Sequence, residues 1–277
     1  MNSNTTQLQG KGEDVIIRQY RYPDDWTHIR QMFVDATMTG RDSPYQRGLA
    51  AYNVSPVVFS AIGSMAFLQI VFWLLSLRDD TARLIFWTQA GIGILCLAAS
   101  INTWYQRRQV RRLFRIFIDE GLAGDLVDVV KSFKLRVTES GACIPIGPGG
   151  FWVAEIGGEF AGCVGLSGYQ NALIKLYVLV LKQSQDQDPR DDATVGGVRR
   201  LCVVPTHQGK GVATKLMATL TSHARDHKLH ALELTTSKYN QIALNFYQKL
   251  GWKMTGRMNY HGFALVVLRL ELSVGSR

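Results

Sequence analysis

The sequence predicts an α/β fold of the mixed-sheet, α+β kind, interrupted near its beginning by a hairpin of two transmembrane helices. Three observations carry that expectation. Residues 199–227 read as a strand with Leu201, Val203 and Val204, then Pro205, then a glycine-punctuated turn, Gln208-Gly209-Lys210-Gly211-Val212-Ala213, that opens a helix. Residues 231–236 read as a second strand, followed by a helix on which Asn240, Ala243 and Tyr247 share one face and after which Gly251 stops the turn. Residues 57–77 and 84–106 each run without a charge, long enough to cross a bilayer core of about 30 Å.

Taken in order, residues 1–12 are polar and carry no basic-apolar-small pattern, so they are expected to be a disordered tail rather than a signal peptide. Residues 13–45 supply a first strand at 15–20 and an amphipathic helix from Pro23-Asp24-Asp25 with Trp26, Ile29, Met32 and Phe33; Asp24 or Asp25 suits its N-terminal end. Periodicity fades at 40–56, which reads as a linker. The membrane hairpin spans 57–106, apolar all round each helix, with Gln69, Gln89, Asn102 and several glycines free to face the partner helix. Residues 107–122 form a basic juxtamembrane segment, with Arg107, Arg108, Arg111, Arg112 and Arg115 placed to meet anionic head groups on the cytosolic side.

Residues 123–272 hold the main domain. Leu126, Val129, Val130, Phe133 and Val137 predict an amphipathic helix from Asp125. Residues 151–155 and 160–166 predict a hairpin around Ile156-Gly157-Gly158-Glu159, whose paired glycines permit a tight turn. Residues 171–180 are apolar and β-prone, 183–192 read as a polar loop, and 263–270 supply a last strand.

The formal charge of +9 calls for an acidic partner: nucleic acid, an anionic membrane or a phosphate-rich cofactor. No nucleic-acid-binding motif accompanies the arginines, so nucleic acid is not expected. Cys96, Cys143, Cys163 and Cys202 lack metal-ligand or disulfide-framework spacing and read as reduced, mostly buried thiols; no metal is expected. The turn at 208–213 has the makings of an anion site. Its glycines let backbone approach a diphosphate, and the first-turn N–H groups of the helix have no intrahelical acceptors.

At these two stretches the chain resembles the GNAT superfamily of acetyl-CoA-dependent N-acetyltransferases. Gln208-x-x-Gly211-x-Ala213 matches its pyrophosphate motif, and Asn240-x-x-Ala243-x-x-x-Tyr247-x-x-x-Gly251-Trp252 matches its second motif with Trp252 in place of the usual Phe. Within the superfamily the order of opening strand and helix, long apolar insertion, Phe151-Trp152-Val153-Ala154-Glu155 strand and the two motifs resembles the camello or N-acetyltransferase-8-like family. Thr235-Thr236 before the second motif fits it as well. The resemblance runs from about Val15 to Leu270 and is strongest after Gly149.

The resemblance implies a membrane-anchored enzyme of the endoplasmic reticulum that transfers acetyl from acetyl-CoA to an amine by direct transfer. Small amines, such as aspartate or cysteine conjugates, and protein lysines are all acceptors in the family. It implies that the backbone of Leu201, Cys202 and Val203 aligns the pantetheine arm, with the Val203 N–H facing the developing oxyanion. Gln208, Gly209, Lys210, Gly211, Val212 and Ala213 would hold the pyrophosphate, Asn240 the cofactor arm, and Tyr247 would protonate the leaving sulfur. The strand at 195–204 lacks the carboxylate that many superfamily members use as base. Glu233 on the next strand is the nearest substitute, followed by Glu155, His207 and His261, with an ordered water as a further route. Cys202 as an acyl nucleophile is the lesser option, since no histidine lies at an obvious pairing distance. The missing carboxylate also motivates a rival expectation, a catalytically inactive membrane adaptor that keeps the fold and binds CoA. The arginines flanking the hairpin place the catalytic domain in the cytosol. The sequons at Asn4 and Asn53 offer a probe of that topology, although some family members face the lumen.

Overall fold

A strand that is apolar at both parities needs cover on both faces. In the stretch GFWVAEI, Trp152, Ala154 and Ile156 enter one hydrophobic core while Phe151 and Val153 enter another. The computed structural model describes residues 14–40, 43–51, most of 63–71, 80–168, 194–260 and 263–272. Its elements are β1 (Val15–Gln19), α1 (Asp24–Met38), α2 (Pro44–Ala50), α3 (Asp80–Ala123), α4 (Val129–Ser132), β2 (Leu135–Val137), β3 (Cys143–Pro145) and β4 (Gly150–Ile156). Then follow β5 (Glu159–Gly168), β6 (Val195–Val203), α5 (Val212–Asp226), β7 (Ala231–Ser237), α6 (Gln241–Lys249), β8 (Lys253–Tyr260) and β9 (Phe263–Glu271).

The main sheet has the order β1-β4-β5-β6-β7-β9-β8, antiparallel throughout except for the parallel pair β6/β7. Val212, Leu216 and Leu220 of α5 close one core with Leu232, Leu234 and Leu268. On the other face Ile29, Met32 and Phe33 of α1 pack with Ile118 near the end of α3 and with Phe133, Phe151, Cys163 and Cys202. The second half of α3 also lies on α2, where Leu49, Val110 and Phe114 form a third cluster.

The predicted hairpin is β4–β5, and its turn glycines, at φ +60° for Gly157 and +83° for Gly158, have the two positive φ values of a type I′ turn. The opening strand and helix, the strands at 195–203, 231–237 and 263–271, and the helix ending near His227 also match expectation.

Two expectations need correction. The linker at 40–56 contains α2, which Ser43 caps by accepting the Gln46 N–H at 3.2 Å and Pro44 starts; seven residues are too few to show a period. The helix expected from Asp125 shrinks to α4. Asp128 caps it, Lys134 in the left-handed region (φ +52°) ends it, and Leu135–Val137 leaves as a strand paired with β3. Leu126, Val129 and Phe133 are buried, Val130 is half-buried on α4, and Val137 is exposed on β2. The edge strand β8 carries no strand signal in the sequence, because KMTGRMNY is too polar to read as one.

The second apolar run lies within α3, which continues unbroken into the arginine segment. The first is helical at its described positions between 63 and 71. Among the described residues no helix is long and apolar enough to cross a membrane. The expectations for 1–12, 171–180, 183–192 and His261 lie outside the described residues.

Candidate active site

The parallel pair at the centre of the sheet is short. Val195, Gly196 and Gly197 pair with Ala231, Leu232 and Glu233, and there the β6–β7 ladder ends. Beyond it, among the described residues, β6 pairs only with β5 and β7 only with β9, so a cleft opens between the carboxyl ends of two parallel strands, a place where open α/β sheets bind ligands. Among the described residues, the backbone N–H and C=O groups of Val198–Val203 on the cleft side have no strand partner. A bulge helps to turn β6 aside. Gly165 pairs with Arg199 and Cys163 with Cys202, so Arg200 and Leu201 together oppose Val164.

The chain that leaves β6 builds one bank of the cleft. A short 3-10 turn, Pro205–His207, leads to Gly209 at φ +79° and Gly211 at φ +80°, and Gly211 is the N-cap residue of α5. The helix therefore starts at Val212, four residues after Gln208. A glycine cap brings no side-chain oxygen, so the N–H groups of the first turn keep their capacity for an external acceptor. A Cβ added at Gly209 or Gly211 would meet nothing within 4 Å. The space above the turn is open, and the backbone there is one that residues with a side chain rarely adopt. Gln208 Nε2 donates to the Val203 carbonyl at 3.4 Å, while Val212 is buried. Lys210 is exposed on the turn.

The chain that leaves β7 builds the other bank. Asn240 is the N-cap of α6 and not part of its helical face, with Oδ1 accepting the Ala243 N–H at 3.3 Å. The spacing from Tyr247 to Trp252 has a physical reason. Trp252 N–H donates to the Tyr247 carbonyl at 3.1 Å, Gly251 N–H to Gln248 at 3.0 Å, and Gly251 sits at φ +86°. This is a Schellman cap, in which the residue after the glycine packs on the one three places inside the helix end. The Trp252 and Tyr247 rings lie 5.7 Å apart. Tyr247 is thus held from below and buried, and burial, with the nearby Cys202 adding to it, pushes its hydroxyl well above the ordinary tyrosine range. It keeps its proton and can serve as an acid.

The candidate bases stand apart. Glu233 lies on β7 at the closed end of the cleft, where it accepts from Arg269 Nη1 at 2.9 Å. Glu155 is on β4, two strands from β6, and accepts from Arg18 at 2.7 Å. His207 is buried in the turn after β6, its Nδ1 without a hydrogen-bond partner among the described residues and its Nε2 3.9 Å from Glu159. Cys202 faces Cys163 across β5/β6, both thiols free and buried, and Cys163 Sγ donates to the Arg200 carbonyl at 3.3 Å. Burial raises the Cys163 thiol far above its ordinary value. Among the described residues no group of acidic, histidine and cysteine side chains could hold a metal. The bulge and its left-handed Arg200 (φ +55°) had no sequence signal, since an arginine in a strand reads as ordinary.

The model of the acetyltransferase (GNAT) family matches residues 132–252, the stretch that holds the glycine turn, the helix it opens and the splayed parallel pair. N-acetyltransferase 8B of Homo sapiens is 32% identical over 186 residues, covering 64% of this chain and 67% of that protein. N-acetyltransferase 8F1 of Mus musculus is 30% identical over 151 residues, 54% of this chain and 56% of that protein. The chain belongs to the N-acetyltransferase 8 family of GNAT acetyltransferases; its matches span about half to two thirds of these relatives. Among solved structures, a GNAT-family acetyltransferase from Staphylococcus aureus Mu50 covers 94% of this chain and 100% of its own at 10% identity, with a TM-score of 0.47. The yncA protein of Salmonella typhimurium, solved with its cofactor acetyl-CoA, covers 47% of this chain and 68% of its own at 20% identity and a TM-score of 0.36.

Proposed function

We propose that the chain is a membrane-anchored N-acetyltransferase that passes an acetyl group from acetyl-CoA directly to an amine. The single observation that carries this is the pairing of an open, glycine-lined helix N-terminus with a buried, protonated tyrosine on opposite banks of the β6–β7 cleft. The pyrophosphate fits the turn at Gly209–Ala213, where only glycines leave room, and Lys210 adds charge. The pantetheine amides fit the unpaired edge of Leu201, Cys202 and Val203, much as a strand adds to a sheet. Acetyl-CoA supplies an activated thioester. The Val203 N–H stabilises charge on its oxygen, Tyr247 Oη gives a proton to the departing sulfur, and Asn240 holds the arm through its carboxamide nitrogen.

The amine must arrive neutral. Glu233 is the assigned base, with an ordered water relaying its proton, since Arg269 occupies one of its oxygens. The same ion pair favours the second reading, an inactive adaptor that binds CoA, because every candidate carboxylate described above is engaged by a guanidinium. Incubation with acetyl-CoA and a panel of amino acids, cysteine conjugates and lysine peptides separates the two. Amine-dependent CoA release with an acetylated product supports the enzyme; tight acetyl-CoA binding without product from any acceptor leaves the adaptor.

The anchor rests on α3. Ile94, Leu97, Ile101 and Trp104 are exposed along one helical stripe that runs into the exposed Arg108, Arg111 and Arg115, and the Arg108 guanidinium sits 5.4 Å from the Trp104 ring. An apolar stripe ending in tryptophan and arginine fits a bilayer entered from its cytosolic face, at the endoplasmic reticulum in our reading. Fractionation into the carbonate-resistant membrane pellet tests the anchor. Protease sensitivity of the domain in sealed microsomes, with Asn4 unglycosylated, tests the orientation.

A further inference from the structure

Arg200 occupies the left-handed region at φ +55° in the middle of β6, a conformation that disfavours any residue with a Cβ. Both ends of the residue are tied down. Its Nε donates to both carboxylate oxygens of Asp125 at 3.1 Å and its Nη2 donates to Oδ1 at 2.6 Å. Its guanidinium lies 4.3 Å from the Phe33 ring centroid, and its carbonyl accepts from Cys163. Asp125 is nearly fully buried and meets Arg199 as well, at 3.7 Å. The backbone of α3 makes room for this clamp: a Cβ at Gly121 would stand 2.8 Å from Arg200 Nη1 and 2.7 Å from Phe33 Cε1.

The bulge decides which groups face the cleft. With Arg200 and Leu201 together opposite Val164, β6 changes its register against β5 by one residue and bends away from β7. Relaxation of Arg200 to an extended conformation would undo the bulge only through a one-residue slip in register, carrying Leu201, Cys202 and Val203 to new partners. We propose that Asp125 is a positioning residue for acetyl-CoA, holding Arg200 in its left-handed state so that the edge of Leu201–Val203 stays presented to the cleft. The assignment rests on acetyl-CoA lying along β6. Asp125 follows α3 by two residues, so the helix that carries the apolar stripe and the strand that carries the cofactor edge share one fixed point.

Two substitutions at one position separate positioning from stability. Arg200→Ala removes the clamp and keeps the strain, whereas Arg200→Gly removes both, and each leaves Asp125 beside Arg199. The expected result is a KM for acetyl-CoA raised about tenfold in Arg200→Ala, with kcat changed far less, and restored to within about threefold of wild type in Arg200→Gly. Asp125→Asn should follow the alanine variant. Equal KM values for the alanine and glycine variants overturn the assignment, as does an alanine variant that only melts earlier. If Arg200→Ala does not fold, the glycine variant decides: wild-type KM supports the clamp and a tenfold rise overturns it. A glycine variant that does not fold also overturns it, because glycine relieves the strain. Wild-type protein that does not take acetyl-CoA removes the functional reading and this assignment with it, a failure seen before any variant is compared.

Discussion

Gly211 and Gly158 form a matched pair for testing the anion turn. Gly211 stands at φ +80° and Gly158 at φ +83°, and a Cβ at either would meet nothing within 4 Å. Alanine at either position therefore brings the same backbone strain and no clash, a loss of about 1–2 kcal/mol. For a chain of this size each variant should melt about 2–8 °C earlier in the absence of ligand. They part when acetyl-CoA is added. At a ligand concentration of about 100 Kd the wild type gains about 2.7 kcal/mol, and Gly158→Ala, in the remote β4–β5 turn, should gain the same. Gly211→Ala puts a methyl where the phosphates sit. An affinity reduced about tenfold cuts the gain to about 1.4 kcal/mol at the same concentration. Thermal melts of the three proteins with and without acetyl-CoA, calibrated by calorimetric Kd, read both quantities. A full ligand-induced gain in Gly211→Ala, alongside the expected loss without ligand, would refute the account of the turn as a phosphate cradle.

Tyr247→Phe should reduce kcat at least about a hundredfold while acetyl-CoA affinity, by calorimetry, stays within about twofold of wild type, because only the hydroxyl proton is removed. Burial raises the Tyr247 pKa, so the acid form persists above the ordinary tyrosine value of about 10, and the kcat profile should show no basic limb from this group at pH 10. A limb near pH 10 that disappears in Tyr247→Phe would contradict that. Trp252→Ala strips the cap from the Tyr247 ring and should destabilise the fold by about 3–5 kcal/mol in chemical denaturation. Asn240→Ala should lose about 1 kcal/mol through the N-cap, and Asn240→Asp should keep the cap while weakening acetyl-CoA binding, which calorimetry separates from stability.

The parts of the site that the sequence made legible are those where spacing is itself mechanical. Tyr247-x-x-x-Gly251-Trp252 is the reading of a Schellman cap, and Gly209 and Gly211 mark a turn that needs positive φ; both follow from local chain geometry. The Gly157-Gly158 hairpin was visible for the same reason. What stayed hidden depends on residues far apart in sequence. Nothing in Arg200 announces a left-handed strand residue, and its partner Asp125 lies 75 positions earlier. Leu126, Val129 and Phe133 show helical spacing, yet Lys134 ends the helix after one turn. Glu233 is the nearest carboxylate on the strand after the glycine turn and alternates with Leu232 and Leu234, but neither feature reveals that Arg269 lies opposite it on β9.

A structure of the protein with CoA bound tests the central claim most directly. The account predicts the pyrophosphate within hydrogen-bonding distance of the backbone N–H groups of Gly209–Ala213, the pantetheine along the free edge of Leu201–Val203, and the sulfur within roughly 3–4 Å of Tyr247 Oη. CoA bound outside the β6–β7 cleft, or in it with the sulfur out of reach of Tyr247, would contradict the account.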